Sequence, residues 1–140
     1  MSGINTFLIG LGEIAADPMI LLLIIAGVFM GIVFGSIPGL TGALGIALIL
    51  PFTYNIAAEH GLSVLLGIYV GSIAGGLISA ILLNIPGTPA ALVTCFDGSP
   101  MAKGGQPGKA LFIGTFASLV GGLVGGLFMI VLSGDRKSVV

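Results

Sequence analysis

Residues 19–50 read MILLLIIAGVFMGIVFGSIPGLTGALGIALIL, an uncharged run in which one Ile-Pro-Gly step separates two apolar segments. Pro38 removes a helical hydrogen-bond donor, and Gly39 allows backbone angles that a helix does not use. The apolar segment before the break approaches the roughly 20 residues that cross a bilayer core. The stretch therefore predicts a membrane-spanning helix that breaks at Pro38 and resumes as a half-helix near Gly42 or Ala43.

The composition supports a membrane location for that helix. Of 140 residues, 5 are acidic, 4 are basic and 1 is histidine, whereas 56% are hydrophobic and a further 25 are glycine. A soluble domain has about a quarter of its residues charged. Charge-free stretches lie between Asp17 and Glu59, between His60 and Asp97, and between Lys109 and Asp135. Because each is longer than the roughly 20 residues of a spanning helix, the sequence predicts an all-α integral membrane protein and excludes a water-soluble globule. The near-zero net charge also argues against nucleic-acid binding.

The break recurs along the chain. The Ile-Pro-Gly step at Ile37 returns at Ile85, 48 residues later, again after a long apolar segment. Residues 62–83 predict the second span, residues 90–96 a second half-helix, and residues 110–132 the last span. We therefore predict three spanning helices and two Pro-Gly-interrupted half-helices that form an internal repeat.

A polar loop is predicted at residues 97–109, where glycines and prolines accompany Lys103 and Lys109. It could act as a gate or a subunit contact, or it could be a solvated connection. Apart from Arg136 and Lys137, these two lysines are the only basic residues in the chain. The positive-inside bias therefore predicts that the loop faces the cytoplasm.

The two ends of the chain differ from the predicted membrane domain, residues 18–134. Residues 4–14 carry apolar side chains at helical spacing, which predicts a short interfacial helix within the segment 1–17; a frayed terminus is the alternative. Residues 135–140 read DRKSVV, which the string GATCGGAAGAGCGTCGTG encodes. That string resembles the start of a common sequencing adapter whose next triplet is a stop. We hypothesise a non-native tail, with a natural short tail as the alternative.

Small residues recur at every fourth position in each predicted span. Such stripes let helix backbones approach closely in lipid. The stripes therefore predict a closely packed helical neighbour for each of the three spans. We predict from this that the chain is part of a larger transporter bundle. The stripes are Gly27, Gly31 and Gly35; Gly67, Gly71, Gly75 and Ser79; and Gly114, Ser118, Gly122 and Gly126.

The two breaks together predict a binding site. Broken helices at membrane depth are tolerated only inside protein or beside a wet cavity. Half-helix N-termini attract anionic groups, and exposed carbonyls hold cations. The alternative is that each break is a packing kink whose hydroxyls bond back to the helix. We predict that substrate and ion contacts come from Ser36, Pro38, Gly39, Thr41, Gly42, Asn84, Pro86, Gly87 and Thr88.

Enzyme chemistry is not indicated. The chain has one histidine and one cysteine, Cys95, and lacks HExxH, GxSxG and P-loop lysine motifs. We predict no catalytic residue and no cofactor. The one cation that the pattern suggests is a coupling Na⁺ or H⁺ at the breaks, with no other metal site.

Two long motifs resemble one transporter family. Residues 31–53, GIVFGSIPGLTGALGIALILPFT, and residues 69–111, YVGSIAGGLISAILLNIPGTPAALVTCFDGSPMAKGGQPGKAL, are similar to blocks of the large membrane subunit of the tripartite tricarboxylate transporters. The resemblance covers nearly the whole chain, and at Gly104 it would lead us to expect a second lysine.

The resemblance implies a multi-pass permease of the bacterial inner membrane, of which this chain would be an N-terminal fragment. Such a permease works with a small membrane subunit and a periplasmic solute-binding protein, and an ion gradient drives import of citrate or another di- or tricarboxylate. Within its motifs, Pro38, Gly39, Thr41 and Gly42 match the first break, and Asn84, Pro86, Gly87 and Thr88 match the second. The alternative function is a small glycine-rich membrane protein in which the helices only pack, without transport. A channel is disfavoured because no charged ring or filter repeat occurs.

Overall fold

The computed structural model describes residues 3–135, so residues 136–140 of the proposed non-native tail lie outside the described part. Within residues 3–135 the chain forms helices and no strand, as the sequence predicts. A 3-10 turn at Pro89–Ala91 precedes the fifth helix. The helices are α1 (Gly3–Ala16), α2 (Pro18–Ser36), α3 (Gly42–Thr53), α4 (Ala58–Leu83), α5 (Leu92–Lys103) and α6 (Pro107–Asp135).

Three helices are long and apolar enough to cross a membrane: α2, α4 and, over Pro107–Leu132, α6. α3 is a shorter apolar helix. The predicted order of span, break and half-helix is confirmed twice, as α2–α3 and as α4–α5. Both half-helices have 12 residues and an internal proline, Pro51 in α3 and Pro100 in α5, which extends the resemblance between the two repeats.

α2 and α4 pack side by side in parallel through their glycine stripes. A Cβ on Gly31 would collide with the backbone of Ile68, and a Cβ on Gly71 would collide with the carbonyl of Val28. A Cβ on Gly27 would come within 2.5 Å of the carbonyl oxygen of Val64. The predicted close packing is confirmed for these two helices, because only glycine lets their backbones approach to this distance.

α3 reverses direction after α2 and runs back along α4. The turn is made possible by Gly39, whose φ of 93° an L side chain rarely adopts. The start of α3 at Gly42 lies against Ser72, and its end at Thr53 lies against Gly61. α3 is therefore antiparallel to α4, and the first break (residues 37–41) is level with the interior of α4.

The second break (residues 84–88) reverses the chain twice. Asn84 ends α4 in the left-handed conformation, with a φ of 57°. The chain then returns along α4, where Gly87 and Thr88 lie against Gly76. After the 3-10 turn, α5 runs in the direction of α4, with Gly98 beside Ile81.

The predicted polar loop at residues 97–109 is wrong in extent. α5 continues to Lys103, and Lys109 lies in the first turn of α6, so the connection is reduced to residues 104–106. Pro100 costs the helix one hydrogen bond without ending it. The helix ends where Gly105 takes a φ of 84° and Gln106 N–H donates to Met101 O at 3.2 Å.

α6 runs antiparallel to α4 and leaves most of its glycine stripe uncovered. Gly114 packs against the Leu77 side chain, whereas a Cβ at Gly121, Gly122, Gly125 or Gly126 would meet nothing within 4 Å among the described residues. The neighbour predicted for this stripe therefore stays a prediction. α1 is a helix, as residues 4–14 predict, and it contacts α2 and α6. Its interfacial position is still a prediction.

Candidate functional site

The two breaks meet on one face of α4. The end of α2 and the start of α3 lie against Ser72, and the second break lies against Gly76 and Ser79, one to two turns further along the helix. We call this cluster the break site. It consists of Gly35, Gly42, Ser72, Gly76, Ser79, Gly87 and Thr88.

Gly87 joins the two repeats directly. It is buried, and a Cβ there would collide with the carbonyl of Gly35, meet Ser79 Oγ at 2.7 Å and meet Gly76 Cα at 3.0 Å. Three different segments, α2, α4 and the second break, therefore approach each other at one backbone position. The two breaks are thus parts of one packed unit.

Thr88 contributes a buried hydroxyl without a partner. Its Oγ1 makes no hydrogen bond among the described residues, and a Cβ on Gly76 would lie 3.0 Å from it. A buried polar atom left unpaired costs free energy unless something binds it. Thr88 Oγ1 is therefore an unsatisfied hydrogen-bonding group within the break site.

The start of α3, which lies against Ser72, offers backbone donors. Thr41 provides no side-chain cap, although its carbonyl accepts from Leu44 N–H at 3.0 Å and Gly45 N–H at 3.2 Å. The first N–H groups of a helix have no intrahelical acceptor, and they carry the positive end of the helix dipole. This end is therefore electropositive without any charged side chain.

The serine hydroxyls behave differently from Thr88. Ser36 donates to Ile32 O at 2.6 Å, Ser72 donates to Tyr69 O at 2.7 Å, and Ser79 donates to Gly76 O at 3.0 Å. These hydroxyls are satisfied by their own helices, as the packing-kink alternative requires. The ligand contact predicted for Ser36 stays a prediction, since its oxygen can still accept a hydrogen bond or bind a cation.

The structure brings together only part of the predicted set. Gly42, Gly87 and Thr88 lie in the break site, while Pro38, Gly39 and Thr41 are exposed at the adjoining turn. Asn84 and Pro86 are exposed at the far end of the second break. Asn84 lies eight residues beyond Gly76, about 12 Å along the helix.

Two residues of α4 were missed by the sequence reasoning. Ser72 and Gly76 are buried, with Ser72 only 2% exposed, and they form the floor of the break site. The signal was a second row of small residues, Ser72 and Gly76, each one position after Gly71 and Gly75 of the stripe that faces α2. Two adjacent stripes on one helix indicate two close neighbours.

Charged groups lie away from the break site. Among residues 3–135 no group of three or more His, Cys, Asp or Glu side chains could hold a metal ion. At the start of α2, Asp17 Oδ1 accepts from Met19 N–H at 2.9 Å, and Asp17 Oδ2 lies 3.5 Å from His60 Nε2. The Met19 N–H bond, with a smaller contribution from His60, lowers the pKa of Asp17 below its ordinary value.

Comparisons with known proteins cover both breaks. The profile of the tripartite tricarboxylate transporter TctA family matches residues 21–135. An uncharacterized 52.8 kDa protein in the TAR-I ttuC' 3' region of Agrobacterium vitis is 35% identical over 127 residues, which are 91% of this chain and 25% of that protein. This chain thus spans about a quarter of the length of the relative it matches. No solved structure matches.

Proposed function

The chain belongs to the tripartite tricarboxylate transporter TctA family, and we propose that its break site binds a carboxylate on the transport path of a membrane permease. The observation that carries the proposal is the meeting of both Pro-Gly breaks on one face of α4, with the unpartnered Thr88 hydroxyl among them. Transporters use such interrupted helices at the centre of the membrane to hold substrate and ion.

A carboxylate suits the electrostatics of this site. The uncapped N–H groups of α3 and the Thr88 hydroxyl donate hydrogen bonds to an anion, yet no Lys or Arg of the described residues lies in the break site. A bound anion would thus lack a full countercharge. A co-bound cation, Na⁺ or H⁺, supplies that charge and couples import of citrate or another di- or tricarboxylate to an ion gradient.

The remaining parts of the proposal follow the family. The permease is a multi-pass protein of the bacterial inner membrane, and it works with a small membrane subunit and a periplasmic solute-binding protein. Lys103 and Lys109 lie close to the turn at residues 104–106, at one end of the bundle. Under the positive-inside bias this lysine-bearing end faces the cytoplasm.

Replacing Thr88 by valine tests the proposal. Valine keeps the shape and removes the hydroxyl, so the protein should be as stable as before or slightly more stable. Uptake of labelled citrate by cells carrying the permease with its partner subunits should fall about tenfold or more, since a hydrogen bond to a charged group contributes about 1.5–3 kcal/mol. Thr41→Val, beside the start of α3, should lower uptake as well.

The matched control is Thr53→Val. Its hydroxyl donates to Leu50 O at 2.8 Å at the other end of α3, away from the break site. Citrate uptake should be unchanged, and immunoblots of the membrane fraction should show equal amounts of all variants. Normal citrate uptake by both Thr88→Val and Thr41→Val would refute the binding site. An equal loss of uptake in Thr53→Val would show that the losses come from disturbed packing and not from a lost ligand contact.

The uncovered glycines of α6 favour one competing function, a membrane protein that only assembles through helix packing. In that case the 140-residue chain expressed alone should form a stable and discrete oligomer in detergent, as measured by light scattering. If the chain instead belongs to a carboxylate permease that needs further helices, the isolated chain should be degraded or aggregate.

A further inference from the structure

A cleft with polar groups in its lining lies along α5, outside the break site. It is a cleft of about 390 Å³, within the range of about 300–1,000 Å³ that is typical of small-molecule sites. Pro86 belongs both to this cleft and to the second break, so the cleft adjoins the break site. It is lined by Asn84, Pro86, Leu92, Cys95, Phe96, Ser99, Pro100 and Lys103.

Ser99 is the unexplained group in this cleft. It is only 1% exposed, and its Oγ makes no hydrogen bond among the described residues. The serines of the break site, in contrast, donate to carbonyls of their own helices. Because an unpaired buried hydroxyl is destabilising, the cleft is built to offer a hydrogen bond to something that enters it.

The charge of the cleft selects the sign of the ligand. Among the described residues that line the cleft, Lys103 carries the charge, which is positive. Asn84 adds a side-chain amide that can donate a hydrogen bond. The nearest acidic residue in sequence, Asp97, lines a different cavity between α4, α5 and α6, together with Ala110 and Gly114. An ammonium, an amide and a hydroxyl on one cleft are a donor set for a carboxylate.

We propose that this cleft is a second carboxylate-binding station at the lysine-bearing end of the transport path. This proposal rests on the carboxylate transport proposed above and adds a place where the substrate pauses between the break site and the end of the bundle. Lys103 pairs with the carboxylate, and Ser99 and Asn84 hold its oxygen atoms. The break site carries no such charged side chain, so the two stations differ in how they hold the anion.

Cys95 provides a readout that does not depend on transport. It lines the same cleft, it is partly exposed, and it is the only cysteine in these 140 residues. Labelling that is absent in Cys95→Ser identifies the signal of this thiol. Alkylation of Cys95 by a fluorescent maleimide in open membrane fragments should slow when citrate is added. Trimethyl citrate, which has the same skeleton without the charges, should not slow it.

Variants then assign the binding to the proposed residues. In Lys103→Gln the citrate concentration that gives half-protection should rise about tenfold or more, and Ser99→Ala should raise it less. Lys109→Gln is the matched control, since Lys109 is exposed on α6 and does not line the cleft. Protection is compared with and without citrate within each variant, so that changes in the intrinsic reactivity of the thiol cancel.

The outcomes separate the two proposals. Absence of citrate protection while wild-type uptake is normal overturns the second station and leaves the break site intact. Equal weakening of protection in Lys103→Gln and Lys109→Gln also overturns it, because a diffuse charge effect would then suffice. Protection that persists in Thr88→Val, together with lost uptake, supports two separate stations.

Discussion

The two repeats contain the same Ile-Pro-Gly step, yet their half-helices run in opposite directions along α4. α3 is antiparallel to α4, whereas α5 follows the direction of α4. The difference lies in where the chain takes a left-handed conformation. In the first repeat it is Gly39, after the proline; in the second it is Asn84, before the isoleucine.

The residue before the Ile-Pro-Gly step differs between the two repeats. Ser36, which is 48 residues before Asn84, is the last residue of α2, and its hydroxyl bonds back to Ile32 O. Asparagine tolerates the left-handed region, whereas serine gains nothing there. The first break therefore reverses the chain once and leaves its turn exposed, while the second reverses it twice and buries Gly87.

Gly87→Ala should have the largest effect, because it opens the buried break. The added Cβ would meet the backbone of Gly35 and Gly76, which cannot rotate away as a side chain can. We expect a loss of stability of about 3 kcal/mol, the upper part of the usual range for overpacking, and a loss of citrate uptake. Unfolding by denaturant in detergent measures the first effect, and cell uptake the second.

Two other glycine variants, both expected to be milder, serve as controls for Gly87→Ala. Gly39→Ala meets nothing within 4 Å and suffers only from its φ of 93°, for a cost of about 1–2 kcal/mol. Gly12→Ala on α1 also meets nothing within 4 Å, and alanine favours a helix by about 1 kcal/mol, so it should be neutral or stabilising. A Gly87→Ala protein as stable as Gly12→Ala would show that the breaks do not pack as described.

Asn84→Leu should have an intermediate effect, because it removes the residue that sets the first reversal of the second break. Leucine in the left-handed region costs about 1 kcal/mol more than asparagine, and the amide is lost as well. Asn84→Gly separates the two causes, since glycine keeps the backbone and removes only the amide. If uptake falls in both, the amide binds a ligand; full uptake in Asn84→Gly would limit Asn84 to a backbone role.

The sequence predicts where the helices break but not where the broken ends go. Pro38 and Pro86 are local signals, and each falls in a break as expected. Direction depends on long-range contacts, such as Gly87 against Gly35, that no local pattern contains. Pro100 falls in the polar loop that the sequence predicts, yet it lies inside α5.

The same limit applies to the candidate site. The sequence does not distinguish the hydroxyls near a break. In the structure the Ser36 hydroxyl donates to a carbonyl of α2, whereas the Thr88 hydroxyl has no hydrogen-bond partner among the described residues. The difference arises from burial against Gly76, which lies twelve residues earlier in the same repeat. Ser99 lies in the predicted polar loop, because a serine among glycines and prolines is typical of a loop, so the sequence gives no sign of its burial.

Asp17 gives the smallest expected effect, and it tests how the first break is held level with Ser72. Asp17 caps α2 through Met19 N–H and lies 3.5 Å from His60 of α4, so it joins the starts of the two parallel helices. Its pKa is lowered in the folded state, mainly by the Met19 bond. Its stabilising contribution is therefore present above the pKa of the unfolded chain and is lost as pH falls through the lower pKa of the folded state.

Asp17→Asn keeps a cap oxygen but does not titrate, so the difference in unfolding midpoint between wild type and Asp17→Asn should shrink as pH falls below about 4. A difference that stays constant with pH would mean that the Asp17 charge contributes nothing to the register of α2 on α4, which would then rest on the glycine contacts alone.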